Sequence, residues 1–169
     1  MKWVVFILLF TQVVKDWVSV SDAVARFSVD MPLEPVQSRD SIDSDVGMVY
    51  IKTFTCSEGD LIYMANLTTY PDDINFFNKE DSLSDYLIGA IRDQMISQLN
   101  GNLTYQYSRE FDGIPGEVFQ VTFGLDSSVV KMAVIPFFNH LLTLQHFCDY
   151  NTRQSKDIDR FFDSFHYMR

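Results

Sequence analysis

His146 and Cys148 stand two residues apart in a β-rich stretch near the C-terminus. On a strand, that spacing sets both side chains on one face. With Cys56 they supply three residues of the kind that ligate zinc, whereas a structural zinc takes four from closely spaced Cys and His. The plainer reading is a strand histidine beside a core or bridged cysteine. A Cys–His nucleophile pair would also need an orienting third group and an accessible thiolate. Asp40, Asp43, Asp45 and Gly47 outline a calcium-type loop, but counted from Asp43 the twelfth position is Phe54 and not a bidentate Glu. That segment therefore reads as a solvated acidic loop. Gly-x-Ser-x-Gly, His-Glu-x-x-His and the phosphate-binding glycine loop are all absent. No carboxylate pair is singled out for acid–base work, because the separation that matters is a property of the fold. These residues assign no catalytic group, no metal and no cofactor.

Two modification chemistries remain. Cys56 and Cys148 are the only cysteines. They form one disulfide in an oxidising compartment, or stay two separate buried thiols, and the sequence leaves both readings open. Asn66-Leu67-Thr68 and Asn102-Leu103-Thr104 are glycosylation sequons. Asn66 falls inside a predicted strand, whereas Asn102 follows a helix stop and is the better exposed acceptor.

The chain that positions these groups has 169 residues, 47% of them hydrophobic, with 15 Phe and a formal charge of −10. That is enough apolar material for one core, and it argues against disorder. The acidic balance repels nucleic acid and anionic lipid, so nucleic-acid binding is disfavoured. Met1-Lys2 precedes an apolar run from Trp3 to Val14, broken only by Thr11 and Gln12. Ser21-Asp22-Ala23 then offers small residues for a cut after Ala23. Residues 1–23 read as a signal peptide, and 24–169 as a single domain. The run is short for a membrane span, which takes roughly 20 apolar residues, so no stable span is expected after cleavage.

Local patterns set the elements. Ala25 to Asp30 is a short strand leading to Pro32 and Pro35, and the polar stretch from Gln37 to Asp45 reads as a loop. Met48 to Cys56 and Leu61 to Thr69 form a hairpin around Gly59-Asp60. Asp81 or Ser82 caps a helix whose apolar face is Leu83, Tyr86, Leu87, Ala90, Ile91 and Met95, with Asn100-Gly101 as its stop. Leu103, Tyr105 and Tyr107 alternate with polar residues as a half-buried strand. Gly113 to Gly116 is a turn, and Phe119, Val121 and Phe123 mark the next strand. Val129 to Ile135 is another, ended by Pro136. Asn139-His140 turns into a last strand, Leu141 to Asp149. Ser155 caps a second helix with Ile158, Phe161, Phe162 and Phe165 on one stripe. Phe76-Phe77 and Phe137-Phe138 sit at element edges and read as packing first, or as the rim of an apolar pocket. Strand runs with few helices predict an α+β domain, an antiparallel sheet of about six to seven strands with helices packed on it.

Phe27-Ser28-Val29-Asp30-Met31-Pro32-Leu33-Glu34-Pro35 resembles the opening strand of the PsbP-like α/β/α sandwich domains. Phe111-Asp112-Gly113-Ile114-Pro115-Gly116-Glu117 resembles their mid-domain turn, and Phe161-Phe162-Asp163-Ser164-Phe165 their closing helix. The resemblance runs from Ala25 to Tyr167. It implies the fold, and an exported or organelle-lumen accessory role, or binding of a small GTPase inside cells. It transfers no functional residue. The expectation is a non-catalytic, extracytoplasmic accessory or binding domain for an unknown protein or small-molecule partner. The alternatives are a small-molecule binder with an apolar cavity, an enzyme with a concealed carboxylate or Cys–His site, and a cytoplasmic protein-binding domain that retains its N-terminal segment.

Overall fold

The computed structural model describes residues 16–76 and 83–169. The apolar run Trp3 to Val14, the caps Asp81 and Ser82, and Phe77 lie outside those residues. In chain order the elements are β1 (Val18–Asp22), β2 (Phe27–Met31), β3 (Val36–Ser44), β4 (Gly47–Glu58) and β5 (Leu61–Thr69). Then come α1 (Leu83–Leu99), β6 (Asn102–Phe111), β7 (Ile114–Phe123), β8 (Ser128–Phe137) and β9 (His140–Asp149). A short 3₁₀ turn (Tyr150–Thr152), α2 (Lys156–Asp163) and β10 (His166–Tyr167) close the chain. Seven strands form one antiparallel sheet in the order β3-β4-β5-β9-β8-β7-β6, and β1-β2-β10 form a second, small sheet.

Each face of the large sheet is covered because alternate residues on its central strands are apolar. On one face, Phe119, Val121, Val130, Met132 and Val134 pack under α1. On the other, Tyr63, Ala65, Val118, Ile135 and Leu144 meet α2 and the small sheet. Ile158, Phe161, Phe162 and Phe165 are all buried, as their spacing predicts, each worth about 1.5–3 kcal/mol against exposure. The Ser155 hydroxyl caps α2 by accepting the Asp157 N–H at 3.2 Å. Asn100 stops α1 at φ 46°, and the Gly101 N–H donates to the Ile96 carbonyl at 2.9 Å. A Cβ on Gly101 would lie 2.5 Å from Val121 and 2.7 Å from the Thr122 carbonyl, so only glycine passes there.

Several expectations are corrected. The stretch from Gln37 to Asp45 is not a loop; most of it lies in edge strand β3, fully paired with β4. Its residues face water on both sides, so no alternation betrays the strand, and its charges keep other chains off the edge. Asp40 and Asp43 therefore point to opposite faces of β3 and do not converge on a cation. Leu103, Tyr105 and Tyr107 are exposed by 36–44%, because β6 is the other edge of the sheet. Tyr86, at 72% exposed, lies off the buried face of α1. The β6–β7 turn is Asp112-Gly113, both at positive φ, and Pro115 and Gly116 belong to β7. Pro136 does not end β8, which runs to Phe137, and the following turn is Phe138-Asn139.

The segment read as the end of a leader contains β1. It pairs along its length with β2 and buries Val20. Asp22 closes the turn, accepting the Val24 and Ala25 N–H groups at 2.9 Å and an ion pair from Lys52 at 2.9 Å.

Candidate functional site

The strand register aligns six polar or sulfur-bearing side chains in one transverse row. From β4 to β6 it reads Cys56, Tyr63, His146, Lys131, Gln120 and Tyr105. Directly opposed residues share a face, so the whole row lies on the α2 side of the sheet. The row has a sealed half and an open half.

The sealed half holds the residues whose types first suggest chemistry. Tyr63 and His146 have 0% and 1% exposure. Their ring centroids are 4.5 Å apart, and Phe161 and Trp17 close over Tyr63 at 5.4 and 6.4 Å. Neither the Tyr63 hydroxyl nor His146 Nε2 has a hydrogen-bond partner among the described residues. Burial favours the neutral forms of Tyr63, His146 and Cys148. It pushes the Tyr63 phenol far up and raises the Cys148 thiol. Burial, aided by the nearby Lys131 ammonium, lowers His146 to about 4. A reactive thiolate–imidazolium pair needs the opposite shifts, a depressed thiol and an imidazole that holds its proton.

Both cysteines are buried, and neither is in a disulfide. The bridged reading fails on geometry, because β5 lies between β4 and β9. Two strand spacings separate the cysteines by about 10 Å, and a disulfide needs Cα atoms within about 7 Å. No group of three or more Cys, His, Asp or Glu converges on a metal among the described residues.

The open half of the row floors a groove of about 600 Å³ between β6 and the N-terminal end of α2. Tyr105, Gln120 and Lys131 make its floor. Tyr150, Arg153 and Lys156 make its far wall, where the Arg153 guanidinium lies 3.7 Å from the centre of the Tyr150 ring. Lys131 also sits over the Phe162 ring at 4.8 Å and reaches Asp159 at 3.3 Å. Burial raises the Tyr105 phenol to about 12, with Tyr107 and Asp159 adding to the effect.

This large sheet, covered by α1 on one side and by α2 with the small sheet on the other, has a known counterpart. A solution structure of cyanobacterial PsbP (CyanoP) from Synechocystis sp. PCC 6803 superposes with a TM-score of 0.59, at 13% identity, over 91% of this chain and 94% of that one. The fold is PsbP-like. No family model matches the chain, and no curated protein matches it significantly. The opening strand, mid-domain turn and closing helix that carry the resemblance in the sequence are thus fold features, and on the PsbP-like scaffold they fall in β2, the β6–β7 turn and α2.

Smaller clefts lie elsewhere on the surface of this PsbP-like fold. One, of about 340 Å³, lies against Asp22, Lys52 and His140. There His140 Nδ1 is 3.1 Å from the Thr69 hydroxyl, and burial lowers its pKa while Asp22 and Asp72 oppose that shift. The other, of about 230 Å³, runs under α1 past Phe76, Asp85 and Glu117. His166 pairs with Asp112 at 2.9 Å on the open surface. Phe76 and Phe137 are core residues, whereas Phe138 is 44% exposed in its turn. Asn66 lies in the interior strand β5, between Thr53 and Thr143, and Asn102 is exposed at the start of β6. The sequence reading did not single out Gln120, Lys131 or Arg153. The signal available was a lone Lys within Val129-Val130-Lys131-Met132-Ala133 and a lone Gln between Phe119 and Val121.

Proposed function

We propose that this chain is an exported accessory domain that binds and does not convert its partner. The observation that carries the reading is the division of the transverse row. Tyr63 and His146 are held neutral and sealed beneath α2 beside the buried Cys56, and the polar remainder of the row opens to solvent in a groove. A site of chemistry would place groups with opposed pKa shifts in a cleft. The extracytoplasmic setting rests on the basic start and apolar run at the N-terminus, together with the PsbP-like fold. Among the described residues, no helix is long and apolar enough to cross a membrane.

An apolar-cavity binder has less support. The cleft under α1 is small and carries the Asp85 and Glu117 carboxylates at its wall. The test of the export reading is the intact mass and location of the natively produced chain. The proposal expects a chain shorter than 169 residues, recovered outside the cytoplasm. A full-length chain in the cytoplasm overturns the export reading and favours a cytosolic binding domain.

A further inference from the structure

We propose that the groove between β6 and α2 is a binding site for an organic anion, a carboxylate or phosphate carried on a flat or apolar body. The inference rests on the binding-domain reading and gives that binding a place and a chemistry. Gln120 is 5% exposed, lines the groove floor, and its side-chain amide makes no hydrogen bond among the described residues. In a strand otherwise built of Val and Phe, its amide keeps both donor and acceptor capacity open toward whatever occupies the groove.

The charges around it point to an anion. Lys131, Arg153 and Lys156 line it, and Asp159 is the one carboxylate in the lining among the described residues. Asp159 engages Lys131, whereas no ion pair forms from Arg153 or Lys156 among the described residues. This local surplus of two positive charges stands on a chain of formal charge −10. Lines of attraction for an anion therefore converge on this spot. The aromatic walls favour a body as well as a charge. Tyr150 is already stacked by Arg153, and Tyr105 stacks with Tyr107 at 6.0 Å, so floor and far wall each carry a flat ring. A volume of about 600 Å³ lies within the range of small-molecule sites.

The anion is either a free small molecule or an acidic side chain presented by a partner protein. Titration of the isotope-labelled full chain separates these sources, read by amide NMR shifts. The probes are phenyl phosphate, benzoate, inorganic phosphate and a Glu-rich hexapeptide with its Gln counterpart as control. Saturable shifts at Tyr105, Gln120, Lys131, Arg153 and Lys156 with a ring-bearing anion, at least tenfold tighter than with inorganic phosphate, support a free ligand. The same shifts with the Glu peptide alone support a partner's carboxylate. Binding should weaken with salt, and Arg153→Glu or Lys156→Glu should weaken it about tenfold with an unchanged melting temperature. Gln120→Met should weaken it without altering the salt dependence. Absence of saturable groove shifts with every probe overturns the anion site. It leaves the export reading to its own measurement of mass and location.

Discussion

Tyr63 and His146 place two unpartnered polar atoms in the driest part of the molecule. Removing such an atom while keeping the ring costs no hydrogen bond. Tyr63→Phe is expected to raise stability by about 1 kcal/mol in denaturant unfolding; a loss of that size would mean that the hydroxyl is partnered in solution. His146 has a pH consequence. Its folded pKa is about 4 against an ordinary 6.5. Between those values the unfolded chain binds a proton that the folded chain refuses. Stability therefore rises with pH across this window, and falls by up to about 3 kcal/mol as pH drops from 6.5 to 4. His140, shifted in the same direction by burial, adds to the slope. His146→Leu should flatten the stability profile between pH 6.5 and 4.5, and an unchanged slope would refute the buried neutral imidazole. The residue types at this end of the row were legible in the sequence, including the shared face of His146 and Cys148. Their isolation was not, because burial beneath α2 and the intervening β5 are properties of the assembled sheet.

At the level of elements, legibility followed one-sided burial. The α2 stripe and the β4–β5 hairpin were plain because apolar spacing and turn residues agree there. Edge strand β3 carries a loop-like sequence because every burial cue is missing when both faces meet water. For β6 the alternation is real but its meaning is reversed, since Tyr105 and Tyr107 are exposed on an edge strand and not buried in a core. β1 was hidden by a leader-like sequence pattern that extends into it. Its role in the fold is directly testable. A chain starting at Val24 loses the β1–β2 pairing, the burial of Val20 and the Asp22–Lys52 pair. It should be less stable than a chain starting at Asp16 by about 2 kcal/mol or more. Equal melting temperatures would show β1 to be dispensable.

For the whole molecule, the PsbP-like architecture explains why chemistry and access are separated. A seven-stranded sheet covered on both faces leaves open ground only at its edges and where a short helix ends. α2 spans eight residues and covers the β4-β5-β9 end of the row, while the Lys131-Gln120-Tyr105 end is left open. Fold class and the approximate width of the main sheet are readable from composition and the order of elements. The groove was not, because it is assembled from β6, β7, β8 and the approach to α2, which are distant in sequence. The division between a sealed, neutral half and an open, polar half is the basis for reading the protein as a binder.

Thiol reactivity of the native chain tests that division most directly. With an alkylating reagent near neutral pH and no reductant, Cys56 and Cys148 should both stay unmodified while the protein is folded. Both should react at once on denaturation. A native thiol that reacts faster than free cysteine would reveal an activated thiolate and contradict the sealed site, and a pair that reacts only after reduction would contradict the separation of the two cysteines across β5.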